Sequence, residues 1–277
     1  MKQTQLIGDN RERKSNIIDA TTPEGKRILE EILAGIPDKN AKDEETQIEE
    51  PKSKSKSKTT SNIINSSDFW RIENVNYRGK IGDYELLKTL LDNGNTKTQD
   101  EWVEYSKIAK PQGDFYVGDM PLYHSIFTAL SRLDNPDAEQ AREFIKKEMR
   151  AKYLITLTRI KYNPKGKDEV INNFKMNDEY KIQTNFVGKD GFIKDVQNKD
   201  YLNAILGTDN IAEINEVYQK INQTDAYIWR VNKKPKSIDE RVARFLAYSG
   251  GVGLDCNWYP AYCNSAFGVR GCNARGN

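Results

Sequence analysis

The chain has 277 residues, of which 43 are Lys or Arg and 41 are Asp or Glu, giving a formal net charge of +2. So small a net charge creates no overall field that would draw the molecule to nucleic acid or to an anionic membrane, and neither is expected as a partner. Because His124 is the single histidine, a histidine-rich metal site is excluded and histidine-dependent catalysis has one candidate residue. We expect no metal ion and no cofactor.

Residues 1–67 are polar and charged, contain no Phe, Trp or Tyr and include the low-complexity run KSKSKSK. Such a segment cannot bury enough apolar surface to offset the entropy lost on ordering, so a disordered arm is expected. Within the arm, Ile28, Leu29, Ile32 and Leu33 share one predicted helical face, which either docks a partner or forms only transiently. The N-terminus lacks the apolar core of a secretion signal, and no apolar run in the sequence reaches the roughly 20 residues of a transmembrane helix.

Aromatic residues begin at Phe69 and Trp70, so the folded domain is expected to span residues 68–277. Its first predicted element is a short helix over YELLKTLLDNG, with four leucines facing inward and Gly94 as a stop signal. Further helices are predicted to begin at Pro121 and at the Asn135–Pro136 pair, which has the residue types of an N-cap and a first turn.

The second half of the chain changes its hydrophobic period. The segments KYLITLTRIKY, YKIQTNFVG and AYIWRVN are rich in β-branched and aromatic residues and are predicted strands. Between them, Asp209 or Asn210 caps a predicted helix, and Ser237 with Glu240 has capping-box spacing for a short helix that ends near Phe245. This irregular order predicts an α+β fold rather than a doubly wound sheet.

Three cysteines, Cys256, Cys263 and Cys272, lie in the last 22 residues, and an odd number cannot pair completely within one chain. Two interpretations of Cys256 and Cys263 are possible at this point: they form a disulfide, or their presence is incidental. Zinc is disfavoured because the spacings differ from the short pairs of structural zinc sites and no histidine lies nearby in the sequence. His124 is expected to be a partly buried residue with hydrogen-bond partners.

The segment from Ala247 to Gly268 has an unusual composition. It contains one charged residue, Asp255, in a chain in which 30% of residues are charged. Its Tyr and Trp residues stand among Ser, Gly, Asn and Ala, which is the composition of antibody combining loops. Val252, Leu254 and Cys256 predict a strand with one inward face, and Phe267 and Val269 predict a second strand after an exposed turn. The alternative is a glycine-rich core segment without a binding role.

The same segment has a coding property. Every residue except Trp258 can be encoded by a codon that ends in a pyrimidine, and Lys, Glu, Gln and Met, which cannot, are absent. This pattern would follow if asparagine codons in a template were randomised at their first two bases.

The C-terminal sequence RVARFLAYSGGVGLDCNWYPAYCNSAFGVRGC resembles the variable region of target proteins of diversity-generating retroelements. The resemblance covers about the last 35 residues, includes the closing Gly268-Val269-Arg270 and implies a C-type-lectin-like fold with a variable region at about residues 245–270. It implies scaffold roles for Phe245, Val252, Leu254, Phe267 and Val269. It further implies ligand-facing roles for Tyr248, Asp255, Asn257, Tyr259, Tyr262 and Asn264, with Trp258 as an unvaried residue of the same binding face.

The resemblance implies a non-enzymatic protein that binds a protein or glycan ligand through its C-terminal face. With no secretion signal and no transmembrane segment, a cytoplasmic or phage-particle location is expected. The main alternative is an enzyme of the formylglycine-generating, sulfatase-modifying type, whose fold is similar and which holds copper through cysteines near the C-terminus. The tryptophan-containing motifs and cysteine spacings of those enzymes are missing from this sequence. A structural or interaction domain without a diversified site is the remaining alternative.

Overall fold

The computed structural model describes residues 61–196, 199–248 and 250–272. The expected arm, including the Ile28–Leu33 segment, lies outside the described residues except for its last positions. Over the described ranges the chain forms eleven strands and five helices, which confirms an α+β fold. The strands are β1 (Ile63–Asn65), β2 (Phe69–Tyr77), β3 (Lys80–Leu90), β4 (Leu154–Tyr162), β5 (Asp168–Asn172), β6 (Tyr180–Thr184), β7 (Gly191–Phe192), β8 (Ala226–Trp229), β9 (Asp239–Tyr248), β10 (Gly251–Trp258) and β11 (Phe267–Cys272). The helices are α1 (Gln99–Gln112), α2 (Met120–Ser131), α3 (Pro136–Ala151), α4 (Asp200–Leu206) and α5 (Ile211–Asn222).

The smaller sheet has four antiparallel strands in the order β1-β2-β3-β11. β1 lies ahead of residue 68, the expected start of the folded domain. The C-terminal strand β11 pairs with β3, so that Phe267 lies opposite Leu90 and Cys272 lies opposite Asp83. The chain that follows the candidate binding segment is therefore anchored to the first part of the domain.

The larger sheet has seven strands in the order β6-β5-β4-β9-β10-β8-β7. β9 and β10 form an antiparallel hairpin at its centre, and β10 pairs with β8 in parallel. Because β9 also pairs with β4, both strands of the hairpin have neighbours on each side. The candidate segment therefore begins in strands that are hydrogen-bonded to a neighbouring strand on both sides.

The predicted helix starts at Pro121, Asn135 and Asn210 are confirmed. Pro121 lies in the first turn of α2, whose N-cap Asp119 accepts a hydrogen bond from the Leu122 amide. Asn135 and Asn210 cap α3 and α5 by accepting from backbone amides three residues on. Among the described helices, none is both long and apolar enough to cross a bilayer.

Two predicted helices are strands in the structure. Residues 84–90 of the segment YELLKTLLDNG form the second half of β3, and residues 91–94 form a short 3-10 segment. Leu86 and Leu90 pack into one apolar cluster, while Leu87 and Leu91 pack against another. A strand buried on both faces lacks the alternation that distinguishes it from a helix. The helix expected after Ser237 is the strand β9, in which Glu240 forms ion pairs with Arg159 and Lys161 of β4 instead of capping a helix.

The loop that follows β3 is held by local contacts, and His124 differs from its expected environment. Thr98 and Glu101 end the loop by forming the capping box of α1. Within the loop, Lys97 forms an ion pair with Asp92 and a backbone bridge to Asn264. His124 is 2% exposed, stacks on Tyr218 and has no hydrogen-bond partner at either ring nitrogen, so it is more buried and less satisfied than expected.

Candidate ligand-binding site

Three aromatic residues predicted to bind a ligand lie together where β10 ends. The Trp258 and Tyr262 ring centroids are 5.1 Å apart, and those of Tyr259 and Tyr262 are 5.9 Å apart. Tyr259 is 50% exposed and Tyr262 is 54% exposed, whereas Trp258 is half-buried. The Tyr262 amide donates a hydrogen bond to the Tyr259 carbonyl, which folds the intervening residues into a turn. We call Trp258, Tyr259 and Tyr262 the aromatic cluster.

A buried arginine supports the aromatic cluster from beneath. The Arg244 guanidinium carbon lies 3.4 Å from the Trp258 ring centroid and 4.0 Å from the Tyr153 ring centroid. Those two rings are nearly parallel, with their centroids 6.1 Å apart and an interplanar angle of 15°. Cation–π contacts of this guanidinium with both rings hold the Trp258 ring in place.

The polar partners of Arg244 are Asp255 and Asn264. Arg244 Nε donates to Asp255 Oδ2 at 2.8 Å, Nη2 lies 2.7 Å from the same oxygen, and Nη1 donates to Asn264 Oδ1 at 3.0 Å. Burial lowers the pKa of Arg244, and the neighbouring Asp255 carboxylate opposes that shift. A buried ion pair that is also hydrogen-bonded fixes the geometry of the groups around it.

This arrangement corrects the ligand-facing roles expected for Asp255 and Asn264. Asp255 is 5% exposed and Asn264 is 4% exposed, because both side chains point at Arg244 rather than at solvent. The Asn264 carbonyl also accepts hydrogen bonds from the Trp102 indole at 2.8 Å and from the Lys97 amide at 3.1 Å. Both residues therefore belong to the support of the aromatic cluster.

A cleft of about 400 Å³ opens beside the aromatic cluster, lined by it together with Val231, Arg241 and Asn257. The Arg241 guanidinium carbon lies 3.5 Å from the Tyr259 ring centroid. Arg241 also donates to the Asn257 carbonyl at 3.1 Å and to Asp239 at 2.8 Å. Asn257 is half-buried at the edge of the cleft. The cleft thus combines aromatic faces with a guanidinium group. Trp, Tyr and Arg are the residue types enriched at the hot spots of protein interfaces.

Tyr248 does not belong to this cleft. It lies opposite Gly251, whereas Trp258 lies opposite Val242, so the two aromatics mark opposite ends of the hairpin. The seven-residue separation along β10 corresponds to about 20 Å. Tyr248 is 37% exposed and contacts Trp229, whose ring lies so close to Gly253 that a Cβ there would be 2.0 Å from it. The structure therefore separates Tyr248 from Tyr259 and Tyr262.

All five expected scaffold residues are buried, which confirms their packing roles; they are Phe245, Val252, Leu254, Phe267 and Val269. Four further residues build the site although the sequence did not predict a role for them there. They are Tyr153, Val231, Arg241 and Arg244. The alternation in RVARFLAY is the signal that could have identified Arg244. If this segment is a strand, Arg244 lies on the same face as the apolar Val242 and Leu246.

The three cysteines are separate in the structure. Cys256 is buried, Cys263 is exposed in the turn next to Tyr262, and Cys272 lies in the smaller sheet; all three are free. Burial raises the pKa of the Cys256 thiol, which keeps it protonated. Across residues 61–196, 199–248 and 250–272, no three His, Cys, Asp or Glu side chains gather in a geometry that could hold a metal ion.

Among the residues that the structure describes, those lining the cleft include no histidine, cysteine or carboxylate. The single histidine is stacked on Tyr218, away from the cleft, and the cleft residues offer aromatic faces, an amide and a guanidinium group. No protein-family model, no curated protein and no solved structure matches this chain.

Proposed function

We propose that the protein is a non-enzymatic binding protein of C-type-lectin-like architecture whose C-terminal surface is diversified by a retroelement. The observation that carries the proposal is the half-exposure of Tyr259 and Tyr262 on a base fixed by Arg244. Rigid aromatic side chains lose little conformational entropy on binding and can bury a large area. The aromatic cluster is the predicted centre of affinity.

The anchoring of the segment supports the proposal. β10 lies within the larger sheet and β11 lies within the smaller one, so the turn between them is fixed at both ends. A turn held in this way can change its exposed side chains without changing its path. The positions open to such change are Tyr259, Ala261, Tyr262 and Cys263, all exposed, whereas Asp255 and Asn264 serve Arg244.

Replacing Tyr259 and Tyr262 together by alanine should abolish ligand binding and leave stability nearly unchanged. Both rings are half-exposed, so the free energy of unfolding should fall by less than about 1 kcal/mol. Chemical denaturation measures stability, and affinity is measured for peptides selected on the wild-type protein from a random display library. Replacing the exposed Ile81 and Ile108 by alanine provides a matched control elsewhere on the surface. A large loss of stability in the tyrosine variant would contradict the proposal and support the alternative of a packed core segment.

The diversification itself is tested in the neighbouring DNA. We expect a near-copy of the last coding bases, differing chiefly at adenines, beside a reverse transcriptase gene. In that copy, codons for the exposed turn should contain adenine at their first two positions, while those for Phe245 and Leu254 should match the gene. If no such copy exists, the retroelement part of the proposal falls and the binding role is judged by the tyrosine variant alone.

No observation in the described part of the chain favours the sulfatase-modifying alternative over the binding role. That alternative requires cysteines that approach one another, and the three thiols here lie in the core, in the exposed turn and in the smaller sheet. It predicts copper uptake and loss of activity in a Cys263→Ser variant, whereas the binding role predicts neither. Metal analysis of the purified protein distinguishes the two.

A further inference from the structure

The loop between β8 and β9, which supplies one residue to the lining of the cleft, is basic. It runs from residue 230 to residue 238 with the sequence RVNKKPKSI, which contains four cationic residues and no acidic one. Val231 of this loop lines the cleft together with Arg241. The loop is thus part of the same site as the aromatic cluster.

Two of these cations have partners within the protein, and one of the two partners is a carboxylate. Lys234 forms an ion pair with the buried Asp168, and the Arg230 guanidinium donates to the carbonyls of Phe186 and Lys189. The exposed Lys233 and Lys236 have no ion-pair partner among the residues that the structure describes. Two uncompensated positive charges therefore belong to the loop that supplies Val231 to the cleft, whereas Arg241 of the cleft is paired with Asp239.

The cleft also has hydrogen-bond donors that lack acceptors. Arg241 Nε and Trp258 Nε1 are both shielded from solvent and without a partner. Leaving a buried donor unpaired costs free energy, which a ligand that supplies an acceptor can recover. Both donors belong to residues that line the same cleft, where the neighbouring Tyr259 and Tyr262 are half-exposed.

We propose that the cleft binds an acidic segment of a partner protein, with a carboxylate directed at Arg241 and Trp258 and further acidic residues beside Lys233 and Lys236. This inference rests on the proposed binding function and deepens it by naming the chemical class of the ligand. A carboxylate offers two acceptor oxygens and a negative charge, which satisfies unpaired donors and uncompensated cations together.

The lining favours a peptide over an anionic sugar. Three aromatic rings and Val231 supply most of the wall, and Asn257 is the one amide side chain in the lining. Sugar hydroxyl groups that become buried need hydrogen-bond partners, which this wall offers sparsely. An apolar or aromatic side chain next to a carboxylate matches the rings of the aromatic cluster, which favour offset or edge-on contacts.

A random 12-residue peptide display library selected on the full-length protein tests this inference. We expect selected peptides to be enriched in Asp and Glu, with an apolar or aromatic residue adjacent to an acidic one. Affinities of individual synthetic peptides, measured at low and high salt, should fall as ionic strength rises, because exposed charge pairs are screened.

The decisive variant reverses both uncompensated lysines, Lys233→Glu with Lys236→Glu. We expect acidic peptides to bind it about tenfold more weakly, with a smaller salt dependence. The matched control reverses two exposed lysines elsewhere, Lys80→Glu with Lys199→Glu, which changes the net charge equally. Thermal unfolding of both variants verifies that the fold is intact.

The outcomes separate this inference from the proposed function. Peptides that are acidic, that need Tyr259 and Tyr262, and that discriminate between the two lysine variants support both. Peptides that need the tyrosines but lack acidic enrichment, or that weaken equally in both lysine variants, overturn the acidic-ligand inference and leave the binding role standing. Selective binding to sialylated glycans on an array, without acidic peptides, also overturns it. Peptides that ignore the tyrosines overturn the proposed function itself.

Discussion

An Arg244→Met variant is expected to lose about 3–5 kcal/mol of folding free energy, the usual cost of removing one partner from a buried ion pair. The substitution leaves the Asp255 carboxylate, 5% exposed, without its countercharge and removes the guanidinium between Trp258 and Tyr153. Asn264 also loses a hydrogen bond to its side-chain oxygen. Urea denaturation measures the loss, which should also appear as a lower midpoint of thermal unfolding.

A double-mutant cycle identifies the cause of that loss. Asp255→Leu alone should be similarly destabilising, while the Arg244→Met and Asp255→Leu double variant should be more stable than the sum of the single changes predicts, since no unpaired charge remains buried. The exposed pair of Arg132 and Glu213 provides the control, because Arg132→Met should cost less than about 1 kcal/mol. Additive effects of the two buried substitutions would show that Arg244 and Asp255 act independently.

The second large effect concerns the pH dependence of stability, in which two buried groups oppose each other. Burial lowers the pKa of His124 from 6.5 to about 4 and raises the pKa of Asp119 from 3.8 to about 6. His124 contributes stability that is present above pH 6.5 and is lost as the pH falls through about 4. Asp119 contributes stability that is present below pH 3.8 and is lost as the pH rises through about 6. Between those limits the two contributions nearly cancel.

Single substitutions should expose each contribution. On acidification from pH 7 to pH 4.5, Asp119→Asn should lose about 2 kcal/mol relative to wild type, and His124→Phe should gain about 2 kcal/mol. Asn retains an N-cap acceptor for α2, and Phe retains a ring against Tyr218. Denaturation at a series of pH values measures the three curves, and the remaining carboxylates cancel in the comparison. Parallel curves for all three proteins would show that neither group shifts its pKa on folding.

The sequence predicts best those elements whose signals are local. The caps at Asn135 and Asn210 accept from amides three residues on, and the proline of α2 fits the first turn because no N–H is needed there; all three predictions are confirmed. The sequence predicts a helix in place of β3 because its leucines have the spacing of one helical face. In the structure they are divided between two apolar clusters on opposite sides of the strand. In β9, tertiary contacts override a local capping pattern. Glu240 forms ion pairs with β4 instead of capping a helix.

In the candidate site, too, features with a local signal could be predicted and features that depend on tertiary contacts could not. The exposed Tyr259 and Tyr262 could be found from composition, because aromatic residues among small polar ones mark recognition loops. The role of Asp255 could not, since an isolated carboxylate in an uncharged run has the same appearance whether it meets a ligand or a buried guanidinium group. Its partner Arg244 lies 11 residues earlier, across a strand pairing that the sequence does not define.

The pairing of β11 with β3 has a consequence for synthesis in the cell. Arg270 and Glu85, which form an ion pair between these strands, are 185 residues apart in the chain. At a translation rate of about 5–20 residues per second, β3 emerges roughly 10–40 s before the strand that completes its sheet. Throughout that interval one edge of β3 is an open template for other nascent chains, so early protection by a chaperone should raise the yield of native protein.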